Sequence, residues 1–214
     1  EMFQELQPLG VRIPDGFAVT ATAYRDALDA AEAWGPLHAL LDTLDKTDVE
    51  SLAHVGAQAR EIVYAAAMPA QVEAELRLAW RKLKEQVGPT LSVAVRSSAT
   101  AEDLPNASFA GQHDTYLNIR GEQMLIDAVK RCQASLFTDR AISYRIDQGF
   151  DHFKVFLSVA VMQMVRSDLA SSGVLFTIDT ESGHPDVAFI TAAWGLGENV
   201  VQGAVDPDEF YVHK

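Results

Sequence analysis

VAVRSSATAEDLPNASFAGQHDT, residues 93–115, is where this chain passes from apolar strand to polar loop, and its reading decides the fold. Leu91, Val93 and Val95 alternate with small residues, a period of two that suits a buried strand better than an amphipathic helix. Arg96 follows at the carboxyl end of that run. Its planar guanidinium presents five donors in a fork that matches paired oxygens, and Ser97, Ser98 and Thr100 add hydroxyl donors with little bulk. The group reads as an oxyanion cradle, and ligands collect beyond the carboxyl ends of strands in many sheets that carry helices. A second reading stands beside it: Arg96 pairs with Glu102 or Asp103 and pins an ordinary loop, while the hydroxyls cap a turn or a helix. Gly111 favours the cradle, because a residue without Cβ lets backbone approach a ligand, and Gln112 and Thr115 lie just beyond it.

The whole chain sets limits on what such a cradle serves. Its 214 residues, 48% hydrophobic, suffice for one sizeable core or one domain in two lobes. No apolar run is long enough to cross a bilayer and no basic start leads into an apolar signal segment, so the default expectation is a cytoplasmic protein with no membrane partner. The formal charge of −13 argues against a nucleic-acid surface, whose affinity comes from clustered lysine and arginine. A small anion is still compatible with Arg96 and a few amides, since near charges set the field of a site. Cys132 is the single cysteine, which excludes an intrachain disulfide and a cysteine zinc cluster. It shares helical spacing with Leu125, Ala128 and Leu136 and reads as a core residue. The six histidines show no ligand spacing, and no metal site is assigned.

Outward from the cradle, the amino-terminal side is mainly helical over residues 1–90 and the remainder, 91–214, is mixed. Residues 1–6 read as a helix already under way. Pro14, Asp15 and Gly16 form a turn, Phe17 to Thr20 a short strand, and Ala21 to Ala33 a helix. Thr47 with Glu50 has the form of a capping box opening a helix that carries Val49, Leu52, Ala59, Ile62 and Val63. Pro69 suits the first turn of the next helix, which turns Val72, Leu76, Ala79, Leu83 and Val87 to a core and stops at Gly88. That helix offers the pairs Glu73 with Arg77 and Arg81 with Glu85. Gly121 to Gln148 predicts two helices, and Lys154 to Val165 a long strand with Val155, Leu157, Val159 and Val161 on one face. Gly173 to Ile178, Val187 to Thr191 and Glu209 to Val212 predict further strands, which makes the fold class α+β.

Trp194-Gly195-Leu196-Gly197-Glu198 looks like a phosphate loop, but Val200 stands where a dinucleotide fingerprint has its third glycine, and a Walker lysine is missing. A tight turn is the modest reading. Glu198 is read either as a carboxylate approaching a metal through water or as an ordinary surface acid.

Taken in order, RSSATAEDLPNASFAGQ, ASLFTDRAISYR, VMQMVRSD, SGVLFTIDTESG, WGLGENVVQG and DPDEFYV resemble the nucleotide-binding region of the phosphoenolpyruvate synthases, or pyruvate, water dikinases. GVRIPDGFAVTATAYRDAL near the start resembles the same family, and residues 30–90 do so more loosely. Pyruvate, phosphate dikinase and rifampicin phosphotransferase share part of the set, while ASLFTDRAISYR with DTESG favours the synthase.

The resemblance implies an ATP-grasp nucleotide-binding fold, incomplete at both ends. It implies ATP as ligand with Mg2+, whose carboxylates are expected beyond Lys214, and a glycine-lysine loop expected before Glu1. The partners it implies are a phosphohistidine domain and a pyruvate-binding domain of one longer chain, itself a homo-oligomer. That longer protein would convert pyruvate, ATP and water to phosphoenolpyruvate, AMP and phosphate, with the piece inactive alone. The alternatives are the ATP-binding domain of a related phosphotransferase and a non-catalytic nucleotide-binding module.

Carried over position by position, the family puts Arg96 on the ATP phosphates as the catalytic residue, Gly111 in the turn that closes over them and Thr115 as a hydroxyl contact. Gln163 falls on the base side, with Gln112, Met164 and Val165 as neighbours. The Gln163 to Val165 segment would join two lobes, its backbone meeting the adenine edge and Met164 offering a polarizable face. The plain alternative makes Met164 core filling and Gln163 a polar strand end.

Overall fold

The computed structural model describes residues 2–45, 47–99, 103–104, 107–108 and 114–214. In chain order the elements are α1 (Met2–Leu6), β1 (Gly16–Val19), α2 (Ala21–Ala30), α3 (Trp34–Leu41), α4 (Val49–Ala65), α5 (Ala70–Val87), β2 (Val93–Ala99), β3 (Asp103–Leu104), β4 (Ala107–Ser108) and β5 (Thr115–Ile119). They continue with α6 (Glu122–Ala134), α7 (Asp139–Asp147), β6 (Leu157–Gln163), β7 (Ser171–Phe176), β8 (Val187–Trp194), α8 (Gly197–Val201) and β9 (Asp208–His213). Helix and sheet are mixed throughout, as the sequence leads one to expect.

Two compact units result, Glu1–Met164 and Val165–Lys214. Their boundary does not follow the change from helical to mixed composition near residue 90.

The first unit is built on a four-stranded antiparallel sheet in the order β1-β6-β2-β5. One face of that sheet carries the helices. Val93 and Val95 of β2 and Leu157, Val159 and Val161 of β6 are fully buried there against Leu125, Val129 and Cys132 of α6 and the buried stripes of α2, α4 and α5. Each such side chain contributes about 1.5–3 kcal/mol on leaving water, which makes the valine rows a large part of what holds the sheet to its helices. The Cys132 thiol is pushed up to about 12, first by burial and then by the charge of Asp114, as suits an inert core residue.

The helices start and stop for local reasons. Thr20 caps α2, its hydroxyl accepting from the Ala23 amide, and α2 ends at Ala30, earlier than the apolar pattern to Ala33 suggests. The cap of α4 is Asp48, whose carboxylate accepts from the Glu50 amide at 2.9 Å. Thr47 is not the cap: its amide and hydroxyl both donate to Asp45. That one-residue shift rotates the start of α4, so Val49 is exposed while Val55, Ala59 and Val63 are buried. On α5, Leu76, Trp80 and Leu83 are buried and Gly88 ends the helix.

Charges join the helices to one another. Arg77 meets Glu73 at 2.7 Å as its spacing predicts, but Arg81 reaches across to Glu122 of α6 at 2.8 Å instead of pairing with Glu85. Glu122 also takes Arg77, and Arg81 followed by Arg77 holds its carboxyl below the usual range. The tertiary pair wins because Glu122, at the first position of α6, serves two guanidinium groups at once. Arg145 of α7 is fully buried. Its Nε donates to His152 Nδ1 at 2.9 Å and its guanidinium lies over the Phe137 ring, fixing α7 to the turn that precedes β6.

In the second unit, β7-β8-β9 form an antiparallel sheet with Val174 opposite Thr191 and Thr191 opposite Glu209. The short helix α8 packs on β7 and β8. Among its described residues only Ser167 is buried.

Urea denaturation distinguishes the two candidate caps. Asp48→Ala should lower stability by about 1 kcal/mol, the usual worth of an N-cap carboxylate, and Thr47→Ala by at most about 0.5 kcal/mol.

Candidate functional site

Alternation along β2 gives the sheet of the first unit two unlike faces. Val93 and Val95 point into the core, so Ala94, Arg96 and Ser98 point the other way. Register extends that second face across the strands: Arg96 lies opposite Thr115 of β5 and Ala160 of β6, Ala94 opposite Met162, and Ser98 opposite Ser158. Gly16 and Ala18 of β1 complete it, opposite Met162 and Ala160. Gly16, Ala18, Arg96, Ser98 and Thr115 are exposed. Ala94 is buried yet stands outside the continuous core, as its face requires.

A β-bulge sets Thr115 beside Arg96. Val93 pairs with Ile119 and Val95 with Tyr116, so three steps along β5 match two along β2. Asn118 absorbs the extra residue with φ of 58°. Without it Tyr116 and Ile119 could not both turn to the core, because residues three apart on a regular strand face opposite ways. Burial, followed by the charge of Asp114, pushes the Tyr116 hydroxyl up to about 12.

Arg96 is the charged side chain on this open face, and among the described residues its guanidinium has no ion-pair or hydrogen-bond partner. The carboxylates of Glu102 and Asp103, its alternative partners, lie outside the described side chains, as do Thr100, Gly111 and Gln112. Arg96 and Thr115 are thus the two candidate residues brought directly together. Toward one end of the face the surface is polar, with the Ser158 hydroxyl donating to the Ser98 carbonyl at 2.8 Å. Toward the other it is apolar, formed by Ala94, Gly16 and Met162.

Gln163, Met164 and Val165 fall where the units meet in sequence: Met164 is the last residue of the first and Val165 the first of the second. The Gln163 amide donates to the Asp15 carbonyl and the Met164 amide to the Ser92 carbonyl, both at 2.9 Å. Neither amide is therefore open to a purine edge. Gln163 shares the alternation of Val159 and Val161, so its half-buried side chain lies on the helix side, whereas Met162 lies on the face of Arg96. Sequence reasoning passed over Met162. The signal was present as period two, but assigning the face needed the register with β2.

The glycine-rich turn at residues 195–197 is in the second unit, where the Gly195 amide donates to the Ala170 carbonyl and Gly195 adopts φ of 90°. Glu198 there is exposed and accepts from Gln202. Among the described residues no group of three or more His, Cys, Asp or Glu side chains is placed to hold a metal ion. These residues therefore do not by themselves fit the magnesium ion that the resemblance implies, and the chemistry they offer is positioning and charge.

A cleft of about 440 Å³ between β1, α2 and α5 is lined by Thr20, Thr22, Asp26, Gln71 and Glu75 over an apolar floor. It carries two carboxylates and no cation, which disfavours a polyphosphate.

Residues 1–214 match the pyruvate phosphate dikinase, AMP/ATP-binding domain. The chain belongs to this family. It is 58% identical to a phosphoenolpyruvate synthase of Pseudomonas aeruginosa over 214 residues, and 54% identical to those of Helicobacter pylori and Escherichia coli. All of this chain is covered in each case, and 26–27% of the relative, so the chain spans about a quarter of the length of these synthases. No described helix is long and apolar enough to cross a membrane.

In this member of the pyruvate phosphate dikinase AMP/ATP-binding domain family, Gly16 lies where β1 meets β6. A Cβ on Gly16 would lie 2.1 Å from the Val161 carbonyl oxygen, so Gly16→Ala should part β1 from β6. We expect it to lower the thermal midpoint by several degrees, at about 2–4 °C per kcal/mol lost for a unit of this size. An unchanged midpoint would mean that β1 is not held as described.

Proposed function

We propose that this chain is the ATP-binding part of a phosphoenolpyruvate synthase, of ATP-grasp type, with the nucleotide on the open face of the β1-β6-β2-β5 sheet. The observation that carries the reading is Arg96. It stands exposed and without a partner among the described residues, opposite a hydroxyl, on the face that the helices leave free.

The chemistry follows from that placement. A guanidinium fork holds two phosphate oxygens at once, and the Thr115 hydroxyl across the strand pair can donate to a third. Phosphoryl transfer asks the protein mainly for positioning and for stabilisation of charge on the moving group, which a fixed cation supplies without reorganising. The valine rows beneath hold Arg96 on a rigid strand, so the donor is in place before the nucleotide arrives. Gly111 and Gln112 belong to the segment that would close over the phosphates. Gln163, Met164 and Val165 would form the base side through groups other than the two engaged amides. Magnesium, when bound, would neutralise phosphate charge.

In the longer protein, ATP would phosphorylate a histidine on another domain, phosphate would leave, and the retained phosphoryl group would pass to pyruvate at a further domain. Identity above 50% with synthases along the full 214 residues supports this over a related phosphotransferase.

The test is calorimetric titration of the full-length protein with Mg·ATP, together with phosphoenolpyruvate formation from pyruvate. Arg96→Ala should abolish measurable binding or weaken it strongly, and lower kcat/KM by about 100-fold or more, the scale for loss of one fixed donor to a developing charge. Unchanged binding and turnover in that variant would refute the assignment.

A further inference from the structure

We propose that Arg145 and Tyr24 hold a buried monovalent anion of halide size, such as chloride, in the helical part of the first unit. The site stands apart from the open face of the sheet and does not depend on the reading of that face.

Three atoms lead there. Arg145 of α7 is 0% exposed, and of its guanidinium nitrogens only Nε has a partner, the Nδ1 of His152 at 2.9 Å. Both terminal nitrogens, Nη1 and Nη2, are buried with no hydrogen-bond partner. The Tyr24 hydroxyl of α2, on a side chain 1% exposed, is buried and unpartnered in the same way. Among the described residues these are the only buried side-chain nitrogens and oxygens left so, and they belong to neighbours. The charge of Arg145 acts on the Tyr24 hydroxyl, and that of Tyr24 on the guanidinium.

What surrounds them supplies no negative charge. The Phe137 ring, with its centre 5.4 Å from the guanidinium carbon, covers one face of the cation. The His152 imidazole accepts at Nδ1 and so brings a lone pair, not a counter-ion. Burial, against the charge of Tyr24, lowers Arg145 to about 10, which leaves it a cation at neutral pH. Burial raises the Tyr24 hydroxyl, so it keeps its proton and serves as a donor. A positive charge enclosed without a counter-ion is among the costliest arrangements in a protein interior, and buried donors there find acceptors.

The demand of these atoms decides the ligand. Terminal guanidinium nitrogens have only hydrogens to give, and the hydroxyl has one, so the occupant must accept. Water would accept two such bonds but leave the charge in place, with its own hydrogens still to be satisfied. An anion accepts the donors and cancels the charge together. Enclosure restricts it to a small one, since a phosphate or carboxylate would bring further oxygens that need donors of their own.

The two donors are also held in place from one turn. Tyr24 meets Trp34 edge-on with ring centres 6.3 Å apart, Trp34 meets Phe153 at the same separation, and Phe153 follows His152 in the chain. A line of rings on one side and the Arg145 bond to His152 on the other thus fix both groups to the segment before β6. The anion would tie α2 to α7.

The test uses the full-length protein and bromide, a halide that its anomalous scattering identifies. Protein purified and crystallised in bromide should show an anomalous peak within hydrogen-bonding reach of the Arg145 terminal nitrogens and the Tyr24 hydroxyl, and Arg145→Met should lose the peak. In solution, exchanging about 0.2 M potassium gluconate for equal potassium chloride should slow amide hydrogen exchange in α2 and α7 about tenfold, the protection given by a ligand at roughly ten times its dissociation constant. The slowing should be smaller in Tyr24→Phe and absent in Arg145→Met. Both wild-type readings stand alone if Arg145→Met fails to fold. Ordered water or empty space at the three atoms in the bromide crystals, or exchange in α2 and α7 indifferent to chloride, overturns the assignment.

Discussion

The pairing of β2 with β6 is the constraint on which the rest of the first unit depends. It runs in unbroken register from Val93 opposite Gln163 to Ala99 opposite Leu157. Because a strand alternates faces with a period of two, this one register decides which side chains enter the core and which are left facing out. A slip of one residue would turn Val93, Val95, Val159 and Val161 outward and bury Arg96 with no counter-ion, a large penalty on both counts. Stability and site placement thus come from the same pairing: the buried valines hold Arg96 where it stands.

The elements flanking that pair adjust to it. The bulge at Asn118 lets β5 bury Tyr116 and Ile119 and still set Thr115 beside Arg96. Asp15 and Ser92 take the amides of Gln163 and Met164, so β6 is tied on both sides up to the residue where the first unit ends. Arg145 and His152 anchor the turn that feeds β6 from α7. Each of these devices fixes the path of a strand that carries part of the face opposite the helices.

Much of this was legible in the sequence because it is local. The alternation at Leu91, Val93 and Val95 and at Val155 to Val161 marks two strands, and the spacing of Leu125, Ala128 and Cys132 marks the buried side of α6. Gly88 ends α5 as a glycine should, whereas Pro69, expected in the first turn, stands just before it as the N-cap of a helix that begins at Ala70. Arg96 reads in the sequence as a lone guanidinium at the end of an apolar run, but β2 continues past it to Ala99, so it stands mid-strand and not at a strand end. What could not be read depends on partners distant in sequence or on a choice between neighbours. Arg81 had Glu85 within reach on its own helix, and only packing of α5 on α6 offers Glu122. Thr47 and Asp48 are both good caps, and the turn made by Asp45 decides between them. Met162, Gln163 and Met164 are three successive residues near a strand end, and which of them shares the face of Arg96 follows from register alone. The boundary at Met164 leaves no mark in composition, yet the family resemblance puts the joint of two lobes at Gln163 to Val165, where it falls.

The central claim is that nucleotide lies on the open face of the four-stranded sheet, held by Arg96. Its most direct test is a crystal structure of the full-length protein with a non-hydrolysable ATP analogue. The account predicts phosphate oxygens within hydrogen-bonding distance of the Arg96 guanidinium, on the side of the sheet away from α6. Analogue bound elsewhere, in the acidic cleft between β1 and α5 for example, with Arg96 turned to Glu102 or Asp103, would contradict it.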